Sequence, residues 1–278
     1  MAFNAAFSKV TKVFQTKPTN FVSLPSEHQK KITVKKKALF NWSSGKDSAL
    51  ALYKTLQNPE FEIECLLTSV NQQYQRISMH GVRVELLEQQ AQSIGLPLEI
   101  MQIPEMPTME VYEKVMQETL AKLKKQGVTH SIFGDIFLED LRKYREDQLA
   151  EIGFTSVFPL WKIPTQELIQ EFMGLGFKTI VVCVNERFLD KSFVGRVIDQ
   201  NFVNDLPENV DLCGENGEFH TFTFDGPIFS KPIVFEIGEI VYRKYEKPEK
   251  EDSSDTVCDT SSSATFDFGF WYCDLIPK

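Results

Sequence analysis

No two of the five cysteines (Cys65, Cys183, Cys213, Cys258, Cys273) stand two residues apart. The chain therefore lacks the close pair that zinc sites and dithiol redox sites use, and an odd, scattered set argues against a disulfide framework. A reducing, cytoplasmic setting is the expectation. Long apolar runs are missing too: none approaches the roughly 20 residues a bilayer-crossing helix needs. The opening residues lack the continuous apolar block of a secretory signal, so neither membrane insertion nor secretion is expected. Arginine is absent from residues 1–37, although they hold eight lysines against one glutamate, a balance of +7; with −9 overall, the rest of the chain stands at −16. A body that acidic repels a phosphate backbone, which disfavours nucleic acid as a partner.

What is present is an ordinary globular composition, 42% hydrophobic over 278 residues, enough for a sizeable core. Residues 1–36 read as a flexible basic extension, with organelle targeting as the alternative that their lack of arginine weighs against. From residue 37, apolar runs alternate with helix-period segments, the pattern of a parallel sheet wound with helices. Strands are expected at KALFNW, FEIECLLTSV, LEIMQI and VTHSIFG, with helices after the first three, the second of them beginning near His80. FEIECLLTSV is nearly continuously apolar, as a strand covered on both faces would be. The later part, with a charged helix and then segments rich in β-branched and aromatic residues, reads as a smaller α+β domain. The division falls at 135/136, and residues 246–265, acidic and serine-rich, read as a disordered loop between two strands.

The stretch FNWSSGKDSALALYK, Phe40 to Lys54, joins the first strand to the first helix. The common NTPase phosphate loop puts Ser or Thr after its lysine and a further glycine upstream; Asp47 and Phe40 hold those places here. A loop at the carboxyl end of a parallel strand still aims free N–H groups and the positive end of a helix at one point. Ser43, Ser44 and Gly45 are small enough for backbone to approach an anion, Ser48 adds a hydroxyl and Lys46 a charge, so a nucleotide polyphosphate is the expected ligand. Asp47 then either faces a metal ion or caps the helix.

The Ser-x-Gly-Lys-Asp-Ser string resembles the PP-loop of the ATP pyrophosphatase superfamily, usually SGGxDS. Ser44 replaces the first glycine, a change that suits ordinary backbone angles. Further on, DLCGENGEFHTFTFDGPIF (Asp211 to Phe229) is similar to the signature of the diphthine-ammonia ligase family, the ATP-binding domain 4 group. GDIF at Gly134 to Phe137 and PLW at Pro159 to Trp161 match other stations in order. SMHGVR and ERFLDKSFVG look like the shorter, bacterial-type branch.

The resemblance implies a nucleotide-binding α/β domain with a smaller substrate domain, and an enzyme that uses ATP and Mg²⁺ to adenylate a carboxylate and amidate it with ammonium. The acceptor it implies is diphthine on elongation factor 2. Carried onto this sequence, Ser43, Ser44, Gly45, Lys46, Asp47 and Ser48 bind ATP, with Thr68, Ser69, Gly134 and Asp135 as further nucleotide contacts. Asp47 and Asp135 are the metal candidates. Lys46, Asp47, Glu215 and Glu218 are the catalytic candidates, and His80, Arg142, Arg145, Trp161, Gly214 and Gly217 the substrate candidates. Each also has a structural reading as a turn, a cap or a solvated helix face. Two other functions stay open: a PP-loop enzyme that modifies tRNA, which would want cysteine pairs and a basic face, and a nucleotide-binding regulator without catalysis, which would not need the Gly/Glu cluster.

Overall fold

In a computed structural model, residues 34–78, 80–104, 107–245 and 268–278 are described. The expected extension, apart from its last three residues, and the expected loop at 246–265 lie outside them.

Five parallel strands build the first sheet: β1 (Lys36–Asn41), β2 (Phe61–Asn71), β4 (Leu98–Ile103), β5 (His130–Ile132) and β6 (Thr155–Val157). Their register places β4 beside β2, β2 beside β1, β1 beside β5 and β5 beside β6. The short β3 (Arg76–Ile77) pairs antiparallel with the end of β2. The helices α1 (Lys46–Leu56), α2 (Val84–Ile94), α3 (Met109–Lys125) and α4 (Glu139–Glu151) lie between the strands. The chain moves outward from β1 in one direction through β4 and then resumes on the other side at β5. Side chains along β1 and β2 alternate between two buried clusters: Ala38, Phe40, Leu66 and Val70 fall in one, Leu39, Cys65 and Leu67 in the other. Both faces of the sheet are thus covered, as the continuous apolar run of β2 requires. The sheet runs on to Val157, past residue 135, because β6 finds its partner in β5.

After α5 (Thr165–Gly174) a second, antiparallel sheet forms from β7 (Lys178–Asn185), β8 (Phe219–Asp225), β9 (Phe235–Tyr245) and β10 (Phe268–Pro277), with the short α6 (Gln200–Asp205) between β7 and β8. Its order is β8-β7-β10-β9, so the last strand is an inner one. The larger buried cluster takes Phe222 and Leu275 from this sheet together with Phe40 and Leu86 from the first half. One core therefore sets β8 against the amino end of α1. The helix expected from His80 begins instead at Val84, because Gly81 takes a φ of +69° and Arg83 is extended, which closes a turn before the helix can start. Among the described residues no helix is long and apolar enough to cross a membrane.

Candidate functional site

A cavity of about 740 Å³ opens at the carboxyl ends of β1, β2 and β5. This is where strand order reverses, the place at which open α/β sheets collect ligands. Ser43, Gly45, Lys46, Asp47, Ser48, Thr68, Ser69, His80, Gly134, Asp135, Arg145, Gly214, Glu215 and Gly217 all line it. Most of the residues singled out from sequence, drawn from six separate stretches, thus meet at one opening. Its deeper wall is apolar, with Met101, Met116, Leu120 and Phe133.

The floor is the β1–α1 loop. Gly45 is the N-cap of α1 and brings no side chain to cap it, so the N–H groups of Asp47 and Ser48 are left for a ligand. The Lys46 N–H is already used by Thr221 Oγ1 of β8 at 3.0 Å. Ser43 Oγ donates to Ser48 Oγ (3.0 Å), which donates to the Gly45 carbonyl (2.9 Å), and this chain holds the bend in shape without a ligand. Two glycines make the crowding possible. A Cβ at Gly134 would stand 3.1 Å from the backbone of Asp47 and Ser48, and one at Gly45 would stand 3.1 Å from the His80 ring.

Lys46 does not extend freely into the cavity. It is 3% exposed, donates to both carboxylate oxygens of Asp47 (2.7 and 2.8 Å) and to the Cys213 carbonyl, and its ammonium lies 5.5 Å from the Phe219 ring centre. Burial alone would lower its pKa, but the Asp47 carboxylate more than offsets this and the net shift is upward. The lysine stays charged. It ties the amino end of α1 to the Gly/Glu turn.

Ser44 departs from the expectation of ordinary backbone angles: its φ is +71°, the left-handed region that glycine enters without strain. The carbonyl is held there by Thr223 N–H (2.9 Å) and by Gln90 Nε2 (3.2 Å), while the buried Oγ finds no hydrogen-bond partner. Relief of both penalties exceeds the added chain entropy of glycine, so Ser44→Gly should stabilise the fold by about 1 kcal/mol. Urea unfolding measures this, and a loss of stability would contradict the strained geometry.

Opposite the loop stands the turn before β8. Glu218, 1% exposed, does not reach the cavity: its oxygens accept from Asp211 N (2.9 Å), Asn216 N (2.9 Å) and Asn216 Nδ2 (3.0 Å) and so shape the turn itself. Glu215 is turned the other way, with Oε1 accepting from Ile136 N at 2.8 Å. Burial, with the nearby charges of Asp47 and Asp135 adding to it, pushes its carboxyl up from 4.5 to about 7. Asp135 is also raised, first by burial and then by Asp47, against Arg145, whose Nη1 donates to it at 2.6 Å.

The shift at Glu215 has a signed consequence for stability. Well below pH 4.5 the group is neutral whether the chain is folded or not. As pH rises from 4.5 to about 7 the folded state holds a proton that the unfolded chain has released, and the contribution is lost. In the ligand-free protein Glu215→Gln should therefore raise the melting temperature relative to wild type at about pH 8 and change it little at about pH 4. An equal difference at both pH values would contradict this.

His220, which sequence reading passed over, stacks with His80 at 4.7 Å between ring centres, and both rings line the cavity. His80 Nδ1 donates to the Thr221 carbonyl (3.1 Å), which leaves Nε2 as an acceptor. Burial is the main cause of pKa values lowered to about 4 for His80 and about 3 for His220, so both imidazoles are neutral. Thr68 spends its hydroxyl on the Trp42 carbonyl (2.7 Å), a strut under the floor. Arg142 and Trp161 do not line the cavity. The guanidinium lies over the Trp161 and Phe158 rings at 4.5 and 4.9 Å and its Nε donates to Glu146. The described cysteines are all buried, and burial lifts the Cys213 thiol far above its usual range, so it is no nucleophile at neutral pH.

Gln90 is the other residue that sequence reading missed. Fully buried on α2, it accepts from Trp42 Nε1 (2.9 Å) and donates to the carbonyls of Ser44 (3.2 Å) and Thr223 (2.6 Å). One amide thus joins both ends of the β1–α1 connection, at Trp42 and Ser44, to the second sheet.

Comparison with known proteins places this geometry in a family. Residues 35–156 match the diphthamide synthase N-terminal domain and residues 164–248 the diphthamide synthase C-terminal domain. A human protein named diphthine–ammonia ligase is 23% identical over 223 residues, 71% of this chain and 82% of the relative. The bovine protein of that name is 26% identical over 183 residues, 60% of this chain and 67% of the relative.

Proposed function

We propose, from the premise that this chain belongs to the diphthamide synthase family and is an ATP-dependent amide-forming ligase, that it activates a protein-borne carboxylate as an acyl adenylate and amidates it with ammonium. Diphthine is the acceptor this reading takes from the relatives' name, and elongation factor 2 is the carrier that the sequence resemblance implies. The observation that carries it is the amino end of α1, whose N-cap glycine leaves N–H groups of the first turn open, set at the reversal of the sheet and facing a turn that presents Glu215 to the same cavity.

In this scheme a carboxylate oxygen attacks the α phosphorus of ATP, the bond to the bridging oxygen breaks, and pyrophosphate leaves. The first turn of α1 and the small residues Ser43 and Gly45 receive the leaving group, and Lys46 supplies charge to it by giving up Asp47. Ammonia then displaces AMP from the acyl carbon. Glu215, poised near neutrality, takes the proton lost from nitrogen. The apolar wall excludes water from the adenylate.

Magnesium fits the acidic side of the cavity. Asp47 and Asp135 both line it, and the charge of Asp47 disfavours ionisation of Asp135, a conflict that a cation would relieve. Among the described residues no trio of His, Cys, Asp or Glu is arranged as a closed cage. Magnesium takes one or two carboxylates beside substrate phosphates and needs no such cage. When bound, it would neutralise charge on the phosphates.

The purified chain, supplied with ATP, isotopically labelled ammonium and diphthine-bearing elongation factor 2, should place labelled nitrogen in the acceptor. Unlabelled acceptor alongside consumed ATP would overturn the assignment.

A further inference from the structure

The turn that carries His80 is held from the far end of the chain. Arg76 Nη1 donates to the carbonyl of Gly81, the residue after His80, at 2.6 Å, and to Asp274 Oδ1 at 2.9 Å. Arg83, just past the turn, closes the other side: Nε donates to Asp274 Oδ1 (3.0 Å) and Nη2 to Oδ2 (2.7 Å). A single carboxylate on β10 thus receives three donors from two arginines that bracket His80. Tyr272, two residues earlier on the same face of β10, packs against Gly81, where an added Cβ would stand 3.1 Å from its ring. The register of β10 on β9 shifts between Cys273 and Leu275; the extra residue lies on β9, where Gly238 and Glu239 stand opposite Asp274, and β10 itself keeps its alternation.

The other end of the linkage is the phosphate-binding loop. The His80 ring sits against Gly45 and is pinned to the Thr221 carbonyl, and Thr221 Oγ1 receives the first N–H of α1. The matched family stretches end at residue 248, whereas β10 spans Phe268–Pro277. The family match therefore assigns nothing to Asp274.

We propose that Asp274 is a positioning residue: through Arg76 and Arg83 it fixes the His80 turn against Gly45 and so sets the shape of the ATP-binding loop from the last strand of the chain. The proposal rests on the reading that this loop binds ATP. An alternative, purely structural role would be confined to fastening β10, which already has ladder partners on both sides in β7 and β9. An ion pair this close to the surface adds little to stability, whereas small displacements of a reactive geometry cost much more in rate.

The test is Asp274→Asn in the full chain, with Asp274→Glu as the conservative variant and Arg83→Gln as a second cut that leaves Arg76 on the carboxylate. Two readouts are taken: steady-state kinetics in ATP, and imidazole NMR signals of the ligand-free protein. Expected are a loss in kcat/KM for ATP of about tenfold in Asp274→Asn, part recovery in Asp274→Glu, and a shifted His80 signal in both Asp274→Asn and Arg83→Gln. Lowered melting temperature with unchanged kinetics and an unmoved His80 signal would overturn the proposal. The NMR readout needs no nucleotide. Failure of wild type to bind ATP would strike the functional reading and leave the linkage to be judged by the His80 signal.

Discussion

Replacing Lys46 by alanine should lower kcat by about 10²- to 10³-fold and should also cost roughly 2 kcal/mol of stability. The two losses have separate origins. In the ligand-free chain the ammonium is buried against Asp47 and the Cys213 carbonyl, so its removal leaves a half-buried carboxylate and a carbonyl without their donor. Asp47 keeps 30% of its side chain exposed and can recruit water, which holds the stability cost below that of a fully buried broken pair. In the proposed scheme the catalytic loss comes from the charge that Lys46 brings to the leaving pyrophosphate. Lys46→Met keeps a buried stem of similar length and removes the ammonium, so Asp47 stays unpaired as in the alanine variant but no cavity is added. At a temperature where this variant is fully folded its turnover should be as low as that of Lys46→Ala. Near-normal turnover would reduce Lys46 to a strut.

Gln90→Leu should be the most destabilising single change in the buried polar set, by about 3 kcal/mol, although the two side chains are close in volume. Leucine leaves Trp42 Nε1 without an acceptor and the Thr223 carbonyl without its side-chain donor, both beside the β1–α1 loop. The Ser44 carbonyl keeps Thr223 N–H but loses the second donor that holds its left-handed turn. Chemical denaturation gives the stability, and nucleotide affinity should fall with it because the floor of the site loosens. A Leu variant as stable as wild type would mean that the three contacts do not restrain the loop.

Why Gln90 was illegible in sequence while Lys46 was not has a physical answer. The β1–α1 loop is a local object: an apolar strand, small residues, a lysine and an amphipathic helix stand within fifteen positions, and their chemistry is set by neighbours along the chain. Strand alternation and the doubly covered β2 are likewise local patterns, and the parallel sheet follows from them. Gln90 reads as one polar position on a helix, and only the approach of β8, 133 residues away, makes it a buried hub. His220 is hidden in the same way, as an ordinary strand residue until β8 sets it on His80.

Glu215 and Glu218 look equivalent in CGENGE, yet the turn directs one to the cavity and folds the other into itself. Arg142 and Trp161 had polar or aromatic character that suits a substrate contact, but they satisfy each other away from the opening. Asp274 lies 191 positions from Arg83, and composition gives no sign of such a pairing.

The central claim is that the bend at Ser43 to Ser48 receives the pyrophosphate half of ATP. Phosphorus NMR of the purified chain turning over ATP with ammonium and diphthine-bearing elongation factor 2 tests it most directly. The account predicts AMP and pyrophosphate in equal amounts, formed only when the acceptor is present. ADP and orthophosphate as the products would contradict it.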